Sequence, residues 1–80
     1  MKNDIELDMR DREPPEPLFE TLYAVDAAAP GDVIRLRIHR EPLMLYPHLQ
    51  KQDVPFSVEN YGSPDWVIRI GPMPDGHGQR

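Results

Sequence analysis

Four stretches of the chain alternate between apolar and polar residues, which is the pattern of β-strands that bury one face and expose the other. The apolar positions of the first two stretches are Ile5, Leu7 and Met9, then Ile34, Leu36 and Ile38. Those of the last two are Val54, Phe56 and Val58, then Trp66, Ile68 and Ile70. Pro55 cannot donate a hydrogen bond to a neighbouring strand, so the third strand is predicted at a sheet edge. A turn over residues 60–65 joins it to the fourth strand as a hairpin.

A helix is predicted between the first two strands. Pro14, Pro15 and Pro17 precede apolar residues with helical spacing, and a proline in the first turn removes only an N–H group that the turn leaves unpaired. The helix is therefore predicted to begin near Pro15 and to end at Pro30-Gly31. Its predicted apolar stripe is Leu18, Phe19, Leu22, Val25 and Ala29.

The predicted elements follow the order strand, helix, strand, helix, strand, strand. The second helix is the shorter one, and it starts at about Leu45 because Pro47 must lie in its first turn or kink it. A strand–helix–strand unit of this length runs its two strands parallel and lays the helix on one face of the sheet.

Charged residues on the exposed faces of the strands indicate how the strands are ordered. The expected pairs are Arg35 and Arg37 with Glu6 and Asp8, and Arg69 with Glu59. These pairs favour the order one, two, four, three, with the fourth strand antiparallel. The predicted fold is thus α+β, a two-layer α/β sandwich with a four-stranded mixed sheet and both helices on one face.

The chain of 80 residues is long enough for one modest hydrophobic core. We expect that core within a single domain over residues 1–71. From Gly71 onward, glycine and proline recur without apolar periodicity. This composition predicts a flexible tail over residues 72–80.

The formal net charge is −5, and the excess lies in the first 26 residues, which hold eight acidic and three basic side chains. A chain without a basic run lacks the charge from which phosphate binding draws most of its affinity, so nucleic acid is a disfavoured partner. No stretch resembles a signal peptide or a membrane span, and we therefore expect a cytoplasmic protein without a membrane partner.

Several short motifs together resemble the TusA/SirA-like sulfur-carrier fold, over about residues 5–71. These motifs are Leu7-Asp8, Pro14-Pro15-Glu16-Pro17 at the predicted helix start, Pro30-Gly31-Asp32 before a strand, and Glu41-Pro42 after it. Arg40-Glu41-Pro42 with Leu45-Tyr46-Pro47 resembles more closely an uncharacterised, domain-of-unknown-function branch of that fold.

The resemblance implies a Cys-Pro-x-Pro motif whose cysteine carries persulfide sulfur at the helix start, where the helix dipole lowers the pKa of a thiol. Pro15-Glu16-Pro17 matches the end of that motif, which puts Pro14 in the place of the cysteine. The chain contains no cysteine at all. Sulfur transfer by the mechanism of the family is therefore excluded, and the resemblance implies a scaffold that serves another function.

Ligands of open α/β sheets bind at the edge where parallel strands end, and charged residues collect at that predicted edge. The residues we select as a ligand- or partner-binding site are Arg10, Arg12, Glu13, Arg40, Glu41, Tyr46 and His48. The more common role of such clustered charges is a solvated network of ion pairs that stabilises two loops. Tyr61 and Trp66 are expected nearby, because the hairpin turn reaches the same edge.

We predict a non-enzymatic binding or regulatory domain that recognises a protein partner or a small ligand, with no cofactor and no resident metal. One alternative is a metal-dependent or redox-associated accessory role for His39, Glu41 and His48, since imidazole and carboxylate form a legitimate ligand set. The other alternative is RNA binding across the open face of the sheet. That face would need aromatic residues, and only Tyr61 clearly qualifies.

Overall fold

The computed structural model describes residues 3–77 and contains four strands and two helices. In chain order they are β1 (Asp4–Asp8), α1 (Glu16–Ala27), β2 (Val33–Ile38), α2 (Leu45–Lys51), β3 (Phe56–Tyr61) and β4 (Trp66–Ile70). The order of elements is the predicted one, and α2 starts at the predicted residue.

The strands form one mixed sheet with the order β1-β2-β4-β3, as predicted. β1 runs parallel to β2, whereas β4 is antiparallel to both of its neighbours. The fold is therefore the expected α+β arrangement of a four-stranded sheet with two helices. Among residues 3–77, no helix is long and apolar enough to cross a membrane.

Helix α1 begins directly after Pro15, with Glu16 and Pro17 in its first turn. Pro17, Thr21 and Val25 are buried, and they follow the spacing of four residues that places side chains on one face of a helix. Phe19 is 59% exposed, because it lies about 200° around the helix from Pro17. The predicted apolar stripe was therefore wrong at Phe19, and also at exposed Ala29, which follows the end of the helix.

The hydrophobic core lies between the sheet and the two helices. The sheet contributes alternate residues of β2 and β4, and α2 contributes two leucines. The fully buried members are Val25, Ile34, Leu36, Leu45, Leu49, Ile68 and Ile70. Burying aliphatic side chains of this size supplies most of the stabilisation of so small a domain.

The charge pairs that led to the strand order form only in part. Arg35 lies opposite Glu6, with Nη1 and Oε2 3.5 Å apart. Ser57, rather than Glu59, lies opposite Arg69, and Glu59 falls within a register shift between Val58 and Asn60. Glu59 binds Arg35 instead, at 2.8 Å from Nε to Oε1, which lowers the pKa of the Glu59 carboxyl.

The chain remains packed beyond the predicted domain limit at Gly71. Met73 is only 3% exposed, and its backbone exchanges hydrogen bonds with Gly31 and Asp32 at 2.8 and 2.9 Å. Nε2 of His77 lies 2.6 Å from the carbonyl oxygen of Val25, near the end of α1. The hydrophobic core therefore includes Met73 of the segment predicted as a tail, and residues 78–80 of that segment lie outside the described residues.

Candidate functional site

The ends of β1 and β2 and the turn between β3 and β4 meet at one edge of the molecule. The turn reaches this edge because β4 runs antiparallel to β2, with Trp66 opposite Ile38. Buried Asp65 joins the three segments: its carboxylate lies 3.4 Å from Nη1 of Arg10 and 3.1 Å from Nδ1 of His39. These contacts therefore link the three segments at the edge that the strand directions predicted.

Two arginines of the loop after β1 are already engaged in ion pairs. Arg10 makes two hydrogen bonds to Asp8, at 2.9 Å from Nε and 2.7 Å from Nη2. These bonds, with the Arg10 backbone N–H, lower the pKa of Asp8 to about 2. Arg12 binds Glu16 one helical turn away, at 3.0 Å, and this bond raises the pKa of Arg12. The charges of both arginines are therefore largely balanced within the chain.

A polar cavity of 490 Å³ lies beside these ion pairs. Its charged and titratable lining consists of Arg10, Asp11, Arg12, Glu13, His39 and Arg40. The two connections that follow the parallel strands supply all six, which is why they converge at the edge. We call this space the polar cavity.

A second space, which we call the apolar groove, has a volume of 290 Å³ and lies between the start of α1 and the connection from β2 to α2. Most of its walls come from Pro14, Pro15, Pro17, Leu18, Pro42, Leu43, Met44 and Leu45, with Leu36 and Ile38 of β2 beneath. The charged side chains in its lining are Arg40 and Glu41. Arg40 also lines the polar cavity, so the two spaces are neighbours.

Leu43 and Met44 at the groove are unusually exposed for their size, at 64% and 71%. They precede α2, whose first residue, Leu45, turns into the core and is 1% exposed. Exposed apolar side chains beside a groove commonly mark a binding surface, and methionine adapts its shape to different partners.

The hydroxyl of Tyr46 holds the connection from β2 to α2, which forms one wall of the groove. It donates a hydrogen bond to Oε2 of Glu41 at 3.2 Å, and its ring stacks on Phe56 with ring centres 4.8 Å apart. Burial, followed by the hydrogen bond to Glu41, raises the pKa of Tyr46 to about 12. Tyr46 therefore remains a neutral hydrogen-bond donor in its contact with Glu41.

The structure groups some of the selected residues and separates others. Arg10, Arg12, Glu13 and Arg40 line the polar cavity, whereas Arg40 and Glu41 line the groove. Tyr46 touches the groove only through Glu41, and exposed His48 on α2 lines neither space.

The apolar groove itself was not predicted from the sequence. The available signal was the run of apolar residues Pro42, Leu43 and Met44 directly before the first turn of α2. Asp65, which connects the edge, gave no signal beyond its place in the predicted turn.

The ligand set of the metal alternative does not come together. His39 contacts Asp65, and Glu41 contacts Tyr46. In the part of the chain that the structure describes, residues 3–77, no group of three His, Asp or Glu side chains is placed to hold a metal ion.

The open face of the sheet carries charged residues where RNA binding would need stacking platforms. Arg35 is engaged there by Glu6 and Glu59. Tyr61 is exposed, but it lies at the end of β3 and packs edge-on against Trp66, with ring centres 5.7 Å apart. These contacts give the RNA alternative no support.

Fold and site together define a small α+β sandwich protein with an apolar groove at the head of its first helix. The chain belongs to the family described as "Uncharacterized conserved protein (DUF2249)", whose model matches residues 6–72. The match includes the whole edge, the groove and most of the sheet. Among curated proteins, none matches the chain.

Proposed function

We propose that this protein is a non-enzymatic binding domain that recognises a small ligand or a protein partner at the apolar groove. The observation that carries this proposal is the groove itself, where rigid proline walls and the exposed side chains of Leu43 and Met44 surround an apolar space. Concave apolar sites with a few polar groups are the usual form of ligand pockets. Arg40 and Glu41 are the polar groups that would orient the ligand.

We further propose that the scaffold is a TusA-like one that has lost sulfur carriage. The resemblance places Pro14 at the position of the carriers' cysteine. Pro14 lies at the start of α1 and lines the groove. The same place on the scaffold would thus have changed from a reactive thiol to a binding wall. The chain contains no cysteine, so no thiol is available at this place.

Affinity capture with variants of the groove tests the binding role. The wild type and a Leu43→Glu, Met44→Glu variant would be used to capture proteins and small molecules from the lysate of the source cells. A matched control would be Tyr23→Glu, Tyr61→Glu, which adds the same charge at exposed apolar residues outside the groove. We expect the wild type and the control to retain a species that the groove variant loses, as measured by mass spectrometry. Identical captures from all three proteins would contradict the proposal.

A further inference from the structure

The walls and the charges of the apolar groove indicate the chemistry of its occupant. We propose that the groove binds a small molecule with an apolar body and one carboxylate, and that the carboxylate pairs with Arg40. This inference rests on the proposed function, because it specifies what the groove recognises. It depends on three features of the groove: the hydrogen-bonding capacity of the walls, the volume, and the engagement of the charged side chains.

The groove walls offer few hydrogen bonds to a ligand. Pro14, Pro15, Pro17 and Pro42 have no N–H group, and most of the other wall residues are aliphatic. An extended peptide in this groove would bury N–H and C=O groups without partners, which is unfavourable. A hydrocarbon body has no such groups, so it fits these walls better.

The volume of the groove selects a small occupant. At 290 Å³ it lies just below the range of about 300–1,000 Å³ that is usual for small-molecule pockets. A helix with its side chains is about 10 Å across and could insert no more than single side chains. A short hydrocarbon chain or a single ring matches this space.

Arg40 is the charged group of the groove that is available to a ligand. Glu41 accepts a hydrogen bond from Tyr46, whereas Arg40 makes no hydrogen bond or ion pair with any other residue from 3 to 77. In the neighbouring polar cavity, Arg10 and Arg12 are engaged by acidic residues. A guanidinium group beside an apolar space favours a carboxylate, which it can bind with two parallel hydrogen bonds.

The acidic side chains around Arg40 limit where the carboxylate can lie, and Glu41, which lines the groove itself, repels it from the part of the groove beside Glu41. Asp11 and Glu13 line the polar cavity together with Arg40, but they do not line the groove. A carboxylate that moved deeper into the polar cavity would approach both of them and be repelled. The favourable position is therefore at the junction of the two spaces, beside Arg40.

A titration with three ligands of equal chain length tests which head-group charge the groove prefers. Sodium octanoate, 1-octanol and octylammonium, each below its aggregation threshold, would be added to the full chain and followed by ¹H–¹⁵N NMR. We expect saturable shifts at the amides of Leu18, Thr21 and Leu45. Octanoate should bind about fivefold more tightly than octanol, which is the scale of one exposed ion pair, and octylammonium should bind most weakly.

Charge-removing variants test the assigned residue. Arg40→Gln should reduce the affinity for octanoate to that for octanol, without changing the affinity for octanol. Arg37→Gln is the matched control, because Arg37 alternates with the groove residues Leu36 and Ile38 and lies on the other face of the sheet. It should leave both affinities unchanged. Glu13→Gln should tighten octanoate binding about twofold by removing a repelling charge.

Three results would overturn the inference: no saturable octanoate binding, an octylammonium affinity equal to or above that of octanoate, or an unchanged octanoate affinity in Arg40→Gln. Tighter binding of an acetylated Leu-Leu dipeptide than of octanoate would also overturn it, in favour of a protein carboxyl terminus. If all small probes fail while capture still depends on Leu43 and Met44, the carboxylate inference alone is wrong. If capture is also independent of these two residues, the proposed function is wrong as well.

Discussion

The hydroxyl of Thr21 is one of two buried side-chain polar atoms without a hydrogen-bond partner among residues 3–77, and Oε1 of Gln52 is the other. The Thr21 side chain is 1% exposed and lies in the row of α1 that faces the sheet. A buried hydroxyl without a partner costs about 1–3 kcal/mol relative to a satisfied one. Thr21 therefore lowers the stability of the domain where it lines the groove.

Replacement of Thr21 by valine is expected to stabilise the protein. Thr21→Val keeps the branched shape and removes the unsatisfied hydroxyl, so the free energy of unfolding should rise by about 1 kcal/mol, as measured by urea denaturation. Thr21→Ser provides the comparison, because it keeps the hydroxyl and removes a methyl group, and it should lower the stability by about 1 kcal/mol. A valine variant less stable than the wild type would show that the hydroxyl has a partner.

At the scale of elements, tight backbone junctions position the sheet and the C-terminal segment. Gly71 follows β4 with a φ of +114°, and a Cβ atom there would lie 2.6 Å from the carbonyl oxygen of Asp32. Met73, two residues later, bonds to the same backbone, so the turn at Gly71 directs this segment across the start of β2. The junction therefore requires both the conformational freedom of glycine and the space that the missing side chain leaves.

Alanine at Gly71 is expected to destabilise the fold strongly. Gly71→Ala combines an unfavourable positive φ with a clash against backbone, and we expect a loss of about 3 kcal/mol in the free energy of unfolding. Gly76→Ala is the matched control, because Gly76 also has a positive φ of +83° but has open space around its Cβ position. It should cost about 1 kcal/mol in the same denaturation experiment. Equal losses in the two variants would contradict the role assigned to the clash.

At the scale of the whole molecule, the segment that contains Met73 completes the hydrophobic core formed by the strands and helices. Met73 belongs to the same buried cluster as Val25, Ile34 and Ile70. A domain of this size buries only about 60% of the surface its unfolded chain exposes, so each buried side chain is a large share of the total. The C-terminal segment therefore contributes to the stability of the entire domain.

Replacement of the Met73 side chain by alanine is expected to lower the stability of the whole domain. Met73→Ala should cost about 2–3 kcal/mol, because it leaves a cavity in the core. Met44→Ala, the same substitution at a residue that is 71% exposed, should change the free energy of unfolding by less than about 0.5 kcal/mol. Thermal and urea unfolding of both variants measure the difference. A small effect at Met73 would mean that the segment does not complete the core.

The periodic pattern of the chain predicted the order of the elements, the start of α2 and the order of the strands. Such features depend on residues close in sequence or on charge pairs such as Arg35 with Glu6, which forms in the structure, although Arg69 does not face Glu59. The bond between Glu59 and Arg35 was beyond prediction, because the register shift in β3 arises only when two strands pair.

Periodicity, proline placement and the absence of cysteine are properties of the chain alone, and they sufficed to predict the elements and the mixed sheet and to exclude thiol chemistry. The packed structure was needed to show that Met73 is in the core, that Phe19 is on the surface, and that Leu43 and Met44 lie beside a groove. Burial and concavity arise when distant segments pack. The start of α1 and the connection before α2 line the same groove, and no local sequence pattern predicts that these two segments lie side by side.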